Sequence, residues 1–72
     1  MAELTHLQYD ALERAIANGR RIVVYRRGTE FVVVPIRLQV LGGRESITAQ
    51  HPTTGESITL YIDEVDSLDA LP

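Results

Sequence analysis

RRIVVYRRGTEFVVVPIRLQVL, residues 20–41, is the stretch whose reading decides the fold. It reads as a strand over 20–27, a tight turn at Gly28 and Thr29, and a longer strand over 30–41 interrupted by Pro35. Ile22, Val23, Val24 and Tyr25, then Phe31, Val32, Val33 and Val34, are β-branched or aromatic runs on either side of a glycine, which favours strand over helix. Apolar residues occupy both faces of each run, so both faces are expected to be covered, as in a small closed barrel or a sheet under a helix. Proline cannot donate to a ladder, so Pro35 marks an edge, a bulge or a sharp bend. Beyond it Ile36, Leu38 and Val40 alternate with Arg37 and Gln39, as in a long strand that bends and serves two sides of a barrel.

The flanking segments read as elements that pack on this hairpin or extend it. Residues 5–18 form an amphipathic helix. Thr5 at the N-cap with Gln8 three residues on makes a capping-box pattern, and Leu4 before the cap is placed to staple against Tyr9. Leu7, Ala11, Leu12, Ala15 and Ile16 recur at three- and four-residue spacing, and Asn18 with Gly19 closes the helix. Past Gly42 and Gly43, strands are expected over 44–51 and 56–62, separated by turn residues 52–55. A short, 3₁₀-like turn over 63–66 then leads to a last brief strand over 67–71. The chain is thus expected to be mostly β with one N-terminal α-helix: a small five-stranded SH3-like or Sm-like barrel capped by the helix, all in one domain over 1–72.

Bulk properties narrow the function classes. With 72 residues the chain is near the lower limit for an independent core, burying only about 60% of its unfolded surface. Homo-oligomerisation through a sheet edge is therefore one reading of so small an apolar hairpin. No cysteine is present, which removes disulfides and thiolate metal sites and suits an intracellular setting. No apolar run nears the ~20 residues a membrane span needs, and the first residues lack signal-peptide character, so the expectation is cytoplasmic. The formal charge of −3 argues against coating nucleic acid by bulk electrostatics. The distribution is nonetheless dipolar: all seven basic residues are arginines between Arg14 and Arg44, whereas residues after Gly55 carry acids only.

No catalytic pattern emerges. There is no cysteine or lysine, and Ser46, Ser57 and Ser67 lack nucleophile-elbow surroundings. His6 and His51 have no ligand spacing, and Asp63, Glu64 and Asp66 lack the loop a hard cation needs, so neither a metal nor a cofactor is expected. The acidic group reads as a solvated turn. Arginine suits phosphate and carboxylate recognition, which makes Arg26, Arg27, Arg37 and Arg44, with Tyr25 shaping the face, the candidate ligand-binding set. The alternative is that these arginines keep a small barrel soluble and discourage edge pairing.

Leu12, Ala15, Ile16 and Asn18, then Ile22, Tyr25, Val33, Pro35 and Leu38, then Thr54, Gly55 and Glu56, and finally Ile62, Asp63 and Val65 give an order and spacing that resembles the WYL domain. The resemblance implies an Sm-like regulatory module that binds a nucleic-acid strand or a small charged ligand and passes that state to a partner. The Trp-Tyr-Leu triplet of that family would fall at Glu45, Ser46 and Ile47, where only the apolar third member survives. Basic positions expected in the fourth strand and the following turn hold Ile58 and Glu64 instead. Tyr9, Asp10, Leu12 and Glu13, with Ile62, Asp63 and Val65, also resemble the Rof family, small acidic proteins that bind and inhibit the transcription terminator Rho. That resemblance implies protein binding through Asp10 and Glu13. Both readings are non-enzymatic.

Overall fold

The structure is a computed structural model that describes residues 4–71. A helix α1 (His6–Asn18) is followed by strands β1 (Ile22–Arg26), β2 (Thr29–Leu41), β3 (Arg44–Gln50) and β4 (Ser57–Tyr61), a 3₁₀ turn (Ile62–Glu64) and strand β5 (Ser67–Ala70). All ladders are antiparallel, in the order β4-β3-β2-β1-β5.

Strand β2 makes this sheet barrel-like. Its first part, through Val33, pairs with β1, while the part from Val34 onward pairs with β3. The changeover comes at Pro35. Register jumps from Pro35↔Ala49 to Arg37↔Thr48, which leaves Ile36 as the extra residue of a bulge. The missing N–H of Pro35 is thus accommodated where the ladder is already broken, and the bend lets one strand serve two halves of the sheet.

The helix closes the concave side. Leu4, Leu12 and Ala15 join Ile22, Val24, Val33, Ile47, Ala49, Leu60, Ile62, Val65 and Leu68 in one core, with Tyr9, Ile16, Phe31, Leu38 and Ile58 packed against it. The capping box forms as the sequence implies: Gln8 N–H donates to Thr5 Oγ1 at 3.1 Å, and Thr5 N–H donates to Gln8 Oε1 at 2.8 Å. Gly19 then takes the left-handed conformation and turns the chain back toward β1.

Several expectations are corrected. The turn after β1 is Arg27–Gly28, not Gly28–Thr29, because Thr29 pairs with Arg26 and a two-residue loop remains. Strand β1 begins at Ile22, since Arg20 N–H is spent on the Ala15 carbonyl at the helix end. Leu7 is 79% exposed rather than part of the buried stripe. It lies about 140° around the helix from Leu12 at 3.6 residues per turn. Ile36 is exposed at the bulge and Val40 lies opposite exposed Glu45, past the core, so only Leu38 of that alternating trio packs inward. His51 falls outside β3, its N–H and C=O committed to the tight loop with Glu56 and Gly55. Both faces are covered along Ile22–Val24, but Val32 on β2 is left partly exposed.

Candidate functional site

The candidate arginines sit where the chain reverses. Arg26 ends β1 on the inward face, two residues beyond buried Val24, and its guanidinium lies 4.9 Å from the centroid of the Phe31 ring. Arg44 opens β3 and stacks 3.9 Å from the centroid of Tyr61. Both meet the acidic segment that links β4 to β5. Arg44 donates through Nε to Asp63 Oδ2 at 2.9 Å and through Nη2 to Asp63 Oδ1 at 2.7 Å, a two-pronged pair, with Glu64 Oε2 3.3 Å away. Glu64 Oε1 stands 3.9 Å from Arg26 Nη1, so one carboxylate bridges the two arginines. Asp66 completes the arrangement by accepting Arg27 N–H at 3.0 Å while donating its own N–H to the Tyr25 carbonyl at 2.7 Å.

Charge follows from this geometry. The Asp63 hydrogen bond holds the Arg44 guanidinium even more firmly protonated than usual, and the same contact holds the Asp63 carboxyl below the ordinary carboxylate range. Arg26 and Arg44 face Asp63 and Glu64, so these four charges largely offset one another. The acidic turn is therefore no bare solvated loop. It pins the β4–β5 connection to the end of β1 and the start of β3.

The remaining candidates are dispersed. Arg27 makes no side-chain ion pair among the described residues, and it stands in the left-handed region with φ 50°. Arg37 is exposed and also unpaired among the described residues. It lies on β2 roughly 14 Å along the strand from Leu41, the ladder partner of Arg44, taking about 3.4 Å per residue. Tyr25 is half-buried on the face opposite Arg26, paired with Glu30 and Ser67. The structure thus brings Arg26 and Arg44 together through Glu64 and leaves Arg37 and Tyr25 apart from them.

The positions of the missing triplet are all occupied structurally. Glu45 accepts a 2.8 Å hydrogen bond from Tyr9 Oη, Ser46 is fully buried with its hydroxyl unpartnered among the described residues, and Ile47 is in the core. Asp10 and Glu13 are exposed on α1 and make no ion pair among the described residues. Among the described residues no group of three or more His, Asp or Glu side chains is placed to hold a metal ion. His51 instead meets Thr53 Oγ1 at 3.1 Å. No described helix is long and apolar enough to cross a membrane.

Sequence reasoning missed two features. The Arg44–Asp63 pair joins residues 19 apart, and only the segregation of arginines from acids along the chain hinted at it. A groove between α1 and β5, lined by Arg14 and Arg20, left no motif at all.

No family model matches the chain, and no curated protein matches it. A solved structure does. Proteasome accessory factor B/C (PafBC) of Arthrobacter aurescens matches with a TM-score of 0.71 and 24% sequence identity, over 97% of this chain and 12% of that one. The likeness is one of fold. The chain spans about an eighth of the length of that protein, and its helix and bent sheet correspond to one small piece of it.

Proposed function

We propose that this chain is a non-enzymatic regulatory binding module of the WYL type, working in the cytoplasm and recognising a nucleic-acid strand or small anionic ligand at the hairpin end of its sheet. The observation that carries the reading is Arg27. It occupies a strained backbone position at a hairpin tip, its amide held by Asp66, while its guanidinium has no ion-pair partner among the described residues. The fold likeness to a segment of PafBC supports the same reading. Since Arg26 and Arg44 are paired with carboxylates, contact with phosphate at the hairpin end falls to Arg27, and Arg37 is a separate contact farther along β2 for a longer strand.

A fluorescence-anisotropy titration against short single-stranded DNA and RNA at several salt concentrations tests this. Binding should weaken with salt, and the Arg27→Ala/Arg37→Ala variant should flatten the log–log slope by about 1.4, two contacts at ~0.7 each. Absence of binding, or an unchanged slope in the variant, overturns the assignment.

A second reading has its own observation. Leu7 is 79% exposed on the helix, Asp10 follows one turn on at about 60° round the axis and Glu13 a further turn on, giving an apolar residue beside two exposed carboxylates that make no ion pair among the described residues. That surface suits a basic protein partner, as the Rof resemblance implies. Purified Rho should then be retained by the wild-type chain and lost by Asp10→Lys/Glu13→Lys. Equal retention by both would dismiss it.

A further inference from the structure

A pair of grooves of similar size opens among the described residues, and their charges are opposite. One, about 310 Å³, lies between β2 and the β3–β4 connection and carries Glu30, Glu56 and His51. The other, about 330 Å³, lies where the end of α1 meets the end of β5, and its lining among the described residues includes two arginines and no carboxylate. Either volume falls in the range of small-molecule sites.

We propose that the α1–β5 groove is a binding site for a small anion, a carboxylate or phosphate carrying a short apolar group. Its floor is buried Ala15 with half-buried Ala11 and Leu71, exposed Ala70 also lines it, and the alanines leave room that larger side chains would fill. Its rim is Arg14, Arg20 and Asn18. Local structure puts the two arginines on one opening although they are six residues apart. The left-handed Gly19 ends the helix and folds the chain back, and Arg20 N–H is anchored to the Ala15 carbonyl at 2.9 Å. Asn18 is held by the hydrogen bond from its Nδ2 to the Arg14 carbonyl at 2.9 Å. Neither Arg14 nor Arg20 has an ion-pair partner among the described residues, in contrast to Arg26 and Arg44. The helix C-terminus carries about half a negative charge, which opposes an anion, but two full positive charges outweigh it. The same end of the helix is one reason cations are favoured there. What distinguishes a site from simple compensation is the apolar hollow beside them.

This site is separate from the hairpin surface, and its test reads the two apart. Amide chemical shifts of the labelled protein are followed during titration with inorganic phosphate, hexanoate and hexylamine. Hexanoate should give saturable shifts centred on Ala11, Ala15, Arg20, Ala70 and Leu71, with phosphate weaker and hexylamine silent. Arg14→Ala/Arg20→Ala should weaken hexanoate at least tenfold. Ala11→Leu, which narrows the floor and keeps both charges, should weaken hexanoate more than phosphate. Shifts confined to Arg27 and Arg37, equal response to hexylamine, or unchanged affinity in the double variant would each overturn the proposal. Since the two arginines are exposed, the double variant should remain folded and its result stands whatever becomes of Ala11→Leu.

Discussion

Arg27 is the residue at which local preference and observed conformation disagree most. The two-residue loop of the β1–β2 hairpin needs positive φ at both central positions, a geometry that Asn-Gly or Gly-Gly supplies cheaply. The β2–β3 hairpin uses Gly42 and Gly43, with φ 58° and 78°. The first hairpin uses Arg27 and Gly28, with φ 50° and 75°. An ordinary L-residue in that region costs about 1–2 kcal/mol, whereas Asn tolerates it. Arg27→Asn should therefore raise stability by about 0.5–1 kcal/mol, several degrees in Tm for a chain of this size. Thermal unfolding followed by circular dichroism measures this, and no gain would mean that the left-handed arginine carries little strain. The same variant should bind anions more weakly if the guanidinium serves a ligand. A gain in stability paired with a loss of binding is the pattern of residues kept for function.

At the scale of elements, the acidic 3₁₀ turn is a clamp with a pH dependence that can be signed. Asp63 has a folded pKa below its unfolded value because Arg44 bonds the charged form. Such a group contributes stability that is complete above its unfolded pKa, about 3.9, and is lost as pH falls through the lower folded value. Wild type should thus exceed Asp63→Asn in urea midpoint at neutral pH, by a small margin because the pair is exposed. The two should converge as pH drops below about 3.9, and a gap that persisted in acid would mean the carboxylate acts otherwise than by charge. Beyond the segregation of arginines from acids, this clamp was not legible in sequence, since contacts between residues 44 and 63 depend on how β3, β4 and the turn stack. What was legible is local. Thr5 with Gln8 announced the helix start, and Pro35 announced an edge, a bulge or a bend, of which the structure has the bulge, because a residue without an N–H has few places in a sheet. Leu7 and Val40 misled because alternation and helical spacing report which residues share a face, not how far the core extends beneath it. The groove at the end of α1 was invisible for the opposite reason: alanine at Ala11, Ala15 and Ala70 is an ordinary helix or strand residue, and only packing turns it into space.

For the molecule as a whole, size makes the core sensitive to single losses. At about 0.05–0.15 kcal/mol per residue, a chain of this length has only roughly 4–11 kcal/mol of stability in all. Leu12 joins the helix to the sheet and is fully buried, alongside Ile22, Ile47, Leu60 and Leu68. Replacing a buried leucine by alanine removes transfer free energy and leaves a cavity, at about 2.7–5 kcal/mol. Leu12→Ala should therefore consume a quarter or more of the total, and in a weakly stable chain nearly all of it. The strands outside Leu12 cannot collapse freely into the space, because β2 is tied into both halves of the sheet by the bulge at Ile36. The check is equilibrium urea unfolding at several protein concentrations. A large fall in midpoint with an unchanged slope is expected, since the variant still exposes nearly the same surface on unfolding. If midpoints of the wild type rise with concentration, association through the outer edges of β4 and β5, each paired on one side only, adds to the core. In that event Leu12→Ala should be rescued in part at high concentration, because binding between folded copies draws the equilibrium back toward the native state.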